Sequence, residues 1–232
     1  TIIIACNIAW HYYYKTKTPA KTISVVGLAE TDFTSDLIVW DLSYDVLNMN
    51  MKNAYQEIKS YNNIVKDYLK EKGIPENEIV FSAVSSYDKT DYEWNESAKR
   101  SFEVFKGYVL TQRIRIESKD VEKIEKISRE VSELLDEGIQ IEQNSVSYYY
   151  TQLADLKIEM LANATQDAHN RAETIAKNAG ASIAGLKVAN MGVFQITAPN
   201  SSDEDYSWGG TFNTSSKEKR ASINMRLTYF VK

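Results

Sequence analysis

Apolar positions along this chain switch between two spacings, and the switches divide it into strands and helices. Residues 22–30 are β-branched and residues 35–47 alternate, which predicts two strands with a turn over 31–34. Met51, Ala54, Tyr55, Ile58, Tyr61, Val65, Tyr68 and Leu69 recur at helical spacing, and Gly73 with Pro75 ends that helix. Residues 79–86 read as a strand. The charged stretch 87–101 reads as a loop leading to a second hairpin arm over 102–116. Ser118 or Asp120 is placed to cap a second helix that buries Val121, Ile124, Ile127, Val131, Leu134 and Leu135, with Gly138 as its stop. Residues 139–150 return as a strand, 152–179 as a long helix, and 182–197 and 222–231 as strands. The Ser/Asn/Gly-rich stretch 198–220 reads as an exposed hairpin loop. Strands and helices do not alternate strictly, so the predicted class is α+β: mixed or antiparallel sheets packed by amphipathic helices.

The long helix carries the most informative run, LANATQDAHNRAETIAKNAG over residues 161–180. Ala164, Ala168, Ala172, Ala176 and Ala179 fall on one stripe, with Leu161 and Ile175 on nearly the same face. Small side chains let a helix lie close against a sheet. Gly180 then supplies a left-handed C-cap at little steric cost.

Three pieces in order resemble the SIMPL-domain family, a group of mostly extracytoplasmic bacterial proteins. The first is ISVVGLAE at 23–30 with the alternating SDLIVWDLSYDV at 35–46. The second is LKEKGIPENEIVFSAVS at 69–85. The third is the run Ala164, Thr165, Ala168, Arg171, Ala172, Glu173, Ile175, Ala176, Lys177 and Gly180. The resemblance spans residues 22–232. It implies one α+β body outside the cytoplasmic membrane, no established catalytic site, and kinship with periplasmic immunogenic and oxidative-stress-defence proteins. It also implies assembly, since relatives form large ring-like oligomers.

Composition narrows the chemistry further. The chain is 43% hydrophobic and 25% charged, as globular domains are. Its net charge is −5, and the three lysines of residues 1–21, Lys15, Lys17 and Lys21, leave −8 on the remainder. An acidic body is a poor partner for phosphate backbones, so no nucleic-acid partner is expected. Cys6 is the single cysteine and His11 and His169 the two histidines, too few for a His/Cys metal site. Asp203, Glu204 and Asp205 lack the ligand spacing of a calcium loop. Ser85–Ser86 and Ser201–Ser202 lack a nucleophile-elbow pattern, and Arg171 and Glu173 read as exposed surface or a local ion pair. No catalytic residue, cofactor or metal is therefore expected, and the protein reads as a non-enzyme.

Two groups of aromatics remain. Residues 1–14, TIIIACNIAWHYYY, are too short to cross a bilayer and read as the end of a longer signal anchor. Trp10, Tyr12, Tyr13 and Tyr14 would form its interfacial belt, with Lys15 and Lys17 beyond it. A buried strand, a cleavable signal peptide, or lipid processing at Cys6 are weaker alternatives for this segment. Residues 15–21 form a tether and 22–232 the body. The second group, Trp94, Tyr148, Tyr150 and Trp208, stands out at edges and loops, where aromatics anchor interfaces, and marks a candidate subunit interface. The expected function is a membrane-anchored envelope protein, with its body on the periplasmic side, that self-assembles in scaffolding or envelope and oxidative-stress defence. An accessory subunit docking on another membrane-protein complex is the alternative.

Overall fold

The computed structural model describes residues 21–199 and 209–232, which divide into two compact units. One unit takes the described parts of residues 1–33, 152–213 and 218–232. The other takes Thr34–Thr151 and Thr214–Lys217. Both combine antiparallel strand pairs with helices, so the class is α+β, with three α-helices among the described residues.

In the inserted unit, β2 (Leu37–Asn48) is the centre of construction. Ile38, Trp40, Leu42, Tyr44 and Val46 alternate along it, so all five point to one face and are buried there. That face is covered by α1 (Met51–Glu71) through Ala54, Ile58, Val65 and Leu69, and by α2 (Val121–Glu130) through Val121, Ile124 and Ile127. Asn50 caps α1 by accepting the N–H groups of Lys52 and Asn53. Of the two predicted caps for α2, Asp120 holds the position and accepts from Lys123 N–H, while Ser118 Oγ accepts from Asp120 N–H. A 3-10 turn, Val131–Leu135, continues α2 and buries Val131 and Leu134. The sheet order is β3 (Ile79–Phe81), β5 (Arg100–Ser118), β2, β6 (Ile141–Tyr149), with β4 (Ser85–Asn95) also paired to β5. All these pairings are antiparallel.

The other unit is a four-stranded sheet under one helix. Its path runs β1 (Thr22–Thr34), β9 (Glu218–Val231), β7 (Ile183–Met191), with β8 (Gln195–Thr197) also on β9. The helix α3 (Leu153–Asn178) buries Met160, Ala164, Ala168, Ala172 and Ala176, one every fourth residue. The first four share a core with Val25, Ile196, Ile223, Met225 and Leu227. A row spaced by four is one of the natural ridges of a helix surface, and alanines keep this one low.

Several expectations are corrected. Residues 31–34 continue β1 instead of turning; Asp32 there is held by the Arg220 guanidinium of β9 at 2.6 and 2.8 Å. The strand read at 79–86 is broken at residues 82–84, and the one read at 182–197 is broken at residues 192–194. β9 begins at Glu218, inside the stretch read as loop. Ile175 is exposed and Ala179 lies beyond the helix, because Ile175 sits about 100° round the axis from Ala176. The largest correction is residues 87–101, which are strand and tight turn, not loop. The expected N-terminal membrane helix lies outside the described residues, among which no helix is long and apolar enough to cross a membrane.

Candidate functional site

β2 ends at Asn48, opposite Tyr108 of β5. Beyond that point β5 has only β4 for a neighbour, so residues 89–95 and 100–106 form a two-stranded arm that outruns its sheet. Seven residues of antiparallel strand reach about 24 Å. At the exit the register shifts between Lys89 and Thr90, leaving Lys106 as the extra residue of a bulge. Gly107, with φ of 130°, occupies the bend; a Cβ there would meet Asn48 O at 2.9 Å. Only glycine satisfies both the angle and the approach.

Every residue of β4 is exposed, so burial does not hold the arm. Its ladder and cross-strand pairs do. Directly paired residues share a face, which places Thr90 with Phe105, Tyr92 with Glu103 and Trp94 with Ser101 on one side. Phe105 meets Tyr108 edge-on at 5.0 Å between ring centres, and Tyr108 packs on the core of the unit. This face is therefore an outward extension of the helix-covered face. On the reverse side the Arg100 guanidinium lies 4.4 Å from the Phe102 ring centre, and Glu93 pairs with Lys106. Hydrogen bonding to Glu93 raises the Lys106 ammonium above its ordinary range.

Two-stranded ribbons standing alone are marginal in water. This one also carries Tyr92 and Trp94 at 70% and 56% exposure. An aromatic row on an uncovered ribbon is the surface on this chain best suited to contact another molecule.

Two of the family motifs meet in the other unit, while those at 35–46 and 69–85 belong to the inserted unit. ISVVGLAE is β1, the alanine run is α3, and the two are joined at one point by Asp167. Its carboxylate accepts Leu28 N–H at 2.9 Å and pairs with Arg171 at 2.9 Å. The Leu28 N–H, and then Arg171, hold this carboxyl below the usual carboxylate range. Residues 23–226 match SIMPL, described as a protein of unknown function (DUF541). The chain belongs to the SIMPL family. A comparison with the curated proteins returned no match.

Of the residues proposed for a subunit interface in this SIMPL chain, Trp94 stands near the tip of the arm, exposed. Tyr148 is buried at 7% exposure in the core of its own unit, so its ring is not offered to a partner. Tyr150 is half-buried just after β6. β6 lies two strands from β5, so the fold does not gather these tyrosines with Trp94. Trp208, Trp10, Tyr12, Tyr13 and Tyr14 lie outside the described residues. His169 is half-buried, with Nδ1 3.1 Å from Tyr229 OH and Nε2 3.4 Å from Glu173. On α3, Arg171 therefore pairs with Asp167, while Glu173 lies beside His169 and not Arg171. Among the described residues no three His, Cys, Asp or Glu side chains are grouped to hold a metal.

Phe105 and Asp167 were not singled out from the sequence. The alternation of Phe102, Val104 and Lys106 against Glu103 and Phe105 signals a strand there, but both faces carry aromatics, so periodicity alone does not show which side matters.

Proposed function

We propose that this SIMPL protein is a non-enzymatic, membrane-anchored envelope protein that self-assembles into a large oligomer, in a scaffolding or envelope and oxidative-stress-defence role. The observation that carries the reading is the β4–β5 arm, whose Tyr92 and Trp94 are uncovered by any described part of the chain. The resemblance to ring-forming relatives supports the same reading. The apolar and aromatic residues 1–14, followed by Lys15 and Lys17, support an anchor in the cytoplasmic membrane, and the family resemblance supports a body on the periplasmic side. Copies held in one membrane gain effective concentration, so modest contacts suffice to close an assembly. With two histidines and one cysteine in the whole chain, the sequence offers little of the usual catalytic repertoire.

The test is the mass of the detergent-solubilised chain, measured beside a version starting at Lys21. A large discrete assembly in both assigns assembly to the body. Assembly only with residues 1–20 moves it to the anchor. A monomer in both overturns the self-assembly reading, and a stoichiometric foreign membrane protein on gentle purification replaces it with the accessory-subunit reading.

A further inference from the structure

The sheet of the inserted unit has two open edges. On one side β4 pairs with β5 alone. On the other, β6 pairs with β2 through its odd-numbered residues, as the Asp36 N–H to Tyr149 O bond shows. The even-numbered residues of β6 turn their backbone groups outward: Tyr148 N–H donates to Thr214 O at 2.7 Å. By the same alternation the backbone groups of Asn144 and Val146 also point outward, and among the described residues nothing pairs with them. The bond to Thr214 shows that an outward N–H of this edge takes a backbone partner from outside the sheet. Open edges of this kind recruit strands.

Beside the β6 edge lies a groove of about 480 Å³, between β6 and the end of α2. Val131, Leu135 and Ile141 give it an apolar lining, and Leu135 is 56% exposed at its rim. Its volume is in the range of sites that hold small ligands, and so admits an indole or phenol ring. It opens on the helix-covered face of the sheet, the same face that Tyr92, Trp94 and Phe105 extend along the arm.

We propose that copies of this chain join head to tail, the outer edge of β4 in one arm adding to the outer edge of β6 in the next copy. The aromatic face of the arm then enters the β6 groove. The inference rests on the self-assembly reading and names its interface. Direction supports it. β4, β5, β2 and β6 alternate in direction, so β4 runs opposite to β6. A second copy set beside the first without being turned over therefore presents β4 antiparallel to β6, with the helix-covered faces on one side. The arm outruns β2, so the copies are also shifted along the strand direction. In the isolated chain the Asp91 carboxylate accepts Tyr92 N–H at 2.8 Å, and strand addition exchanges that bond for one across the interface. Such a contact uses two different surfaces, which makes rings when the rotation closes and filaments when it does not.

The test uses the full chain in detergent and two variants. The arm variant carries Tyr92→Ser and Trp94→Ser; the groove variant carries Leu135→Glu. All three sites are exposed, so thermal midpoints should stay close to wild type. Each variant alone should assemble about tenfold or more weakly. Mixed in equal amounts they should form a one-to-one dimer and nothing larger, because one supplies an intact groove and the other an intact arm. Val146→Pro removes an outward N–H and also a side chain that packs on the core, so its thermal midpoint is measured first; the folded variant should behave as the groove variant does and covers the case in which Leu135→Glu does not fold. Variants that assemble like wild type overturn this interface while leaving self-assembly standing. Folded variants that stay monomeric on mixing overturn it in favour of a symmetric contact. A wild-type monomer overturns the self-assembly reading itself, before any variant is compared.

Discussion

Gly27 on β1 and Ala168 on α3 approach so closely that neither tolerates a larger neighbour. A Cβ on Gly27 would lie 2.4 Å from Ala168 N, 2.8 Å from Ala168 Cβ and 2.2 Å from Ala164 O. Two of those three atoms are backbone, so relief requires moving the helix off the sheet. Gly27→Ala should destabilise its unit by about 3 kcal/mol, the upper end of the overpacking range. Gly185→Ala is the control: nothing lies within 4 Å of its Cβ position, and the change should cost nothing or stabilise by about 0.5 kcal/mol. Urea denaturation of both variants decides the matter; equal effects would mean that the close approach is not a constraint.

Asp167 clamps the same seam by charge. Its folded carboxyl ionises more readily than in the unfolded chain, so its contribution is fully present above the ordinary carboxylate pKa, about 4, and is lost as pH falls through the lower folded value. Asp167→Ala should cost about 1 kcal/mol at pH 7, discounted for partial exposure of the pair. The difference from wild type should shrink as pH falls below the ordinary carboxylate pKa of about 4. Unfolding free energies of the two proteins across that range test the sign directly.

A buried polar chain ties the inserted unit together. Tyr44 OH donates to Asn62 Oδ1 at 2.7 Å, Asn62 Nδ2 donates to Gln112 Oε1 at 2.9 Å, and Gln112 Nε2 donates to the carbonyls of Ser82 and Arg113 at 2.9 Å each. Burial also raises the Tyr44 phenol well above its ordinary range, so it stays a donor at any physiological pH. Tyr44→Phe leaves Asn62 Oδ1 without this donor and should cost about 1–2 kcal/mol. Tyr44→Phe and Gln112→Ala should combine non-additively, with a coupling of at least about 0.5 kcal/mol in a double-mutant cycle.

The arm should be dispensable for folding. No residue of β4 is buried, so replacing residues 89–107 with a two-residue Asn-Gly turn between the paired Asp88 and Tyr108 removes no core side chain. The thermal midpoint should move by no more than a few degrees, while assembly is lost. Gly107→Val in the intact chain should do the reverse, lowering the midpoint through strain at φ 130° and contact with Asn48 O.

Local patterns reported most elements because their signals are local. Trp40 and its alternating neighbours on β2, the Ala54–Leu69 face of α1, and the Asp120 cap depend on residues a few positions apart. The arm was not legible in that way. Asp88, Lys89, Asp91 and Glu93 look like loop residues because their strand is held by backbone bonds to β5 and buries none of its side chains. From sequence Tyr148 reads as a subunit-interface residue because its aromatic character does not say which face of β6 is covered; the packing of α2 on that face decides it.

By itself, the sequence determined the α+β class, the family and the alanine row, since burial preference, turn chemistry and small-residue spacing are written in neighbouring residues. Only the tertiary structure decided that Gly27 is what the alanines make room for, that Asp167 and not Glu173 pairs with Arg171, and that a polar stretch becomes a projecting ribbon. Each of those outcomes depends on which distant segment arrives as neighbour. That is set by the summed energy of the whole packing, not by any one stretch of chain.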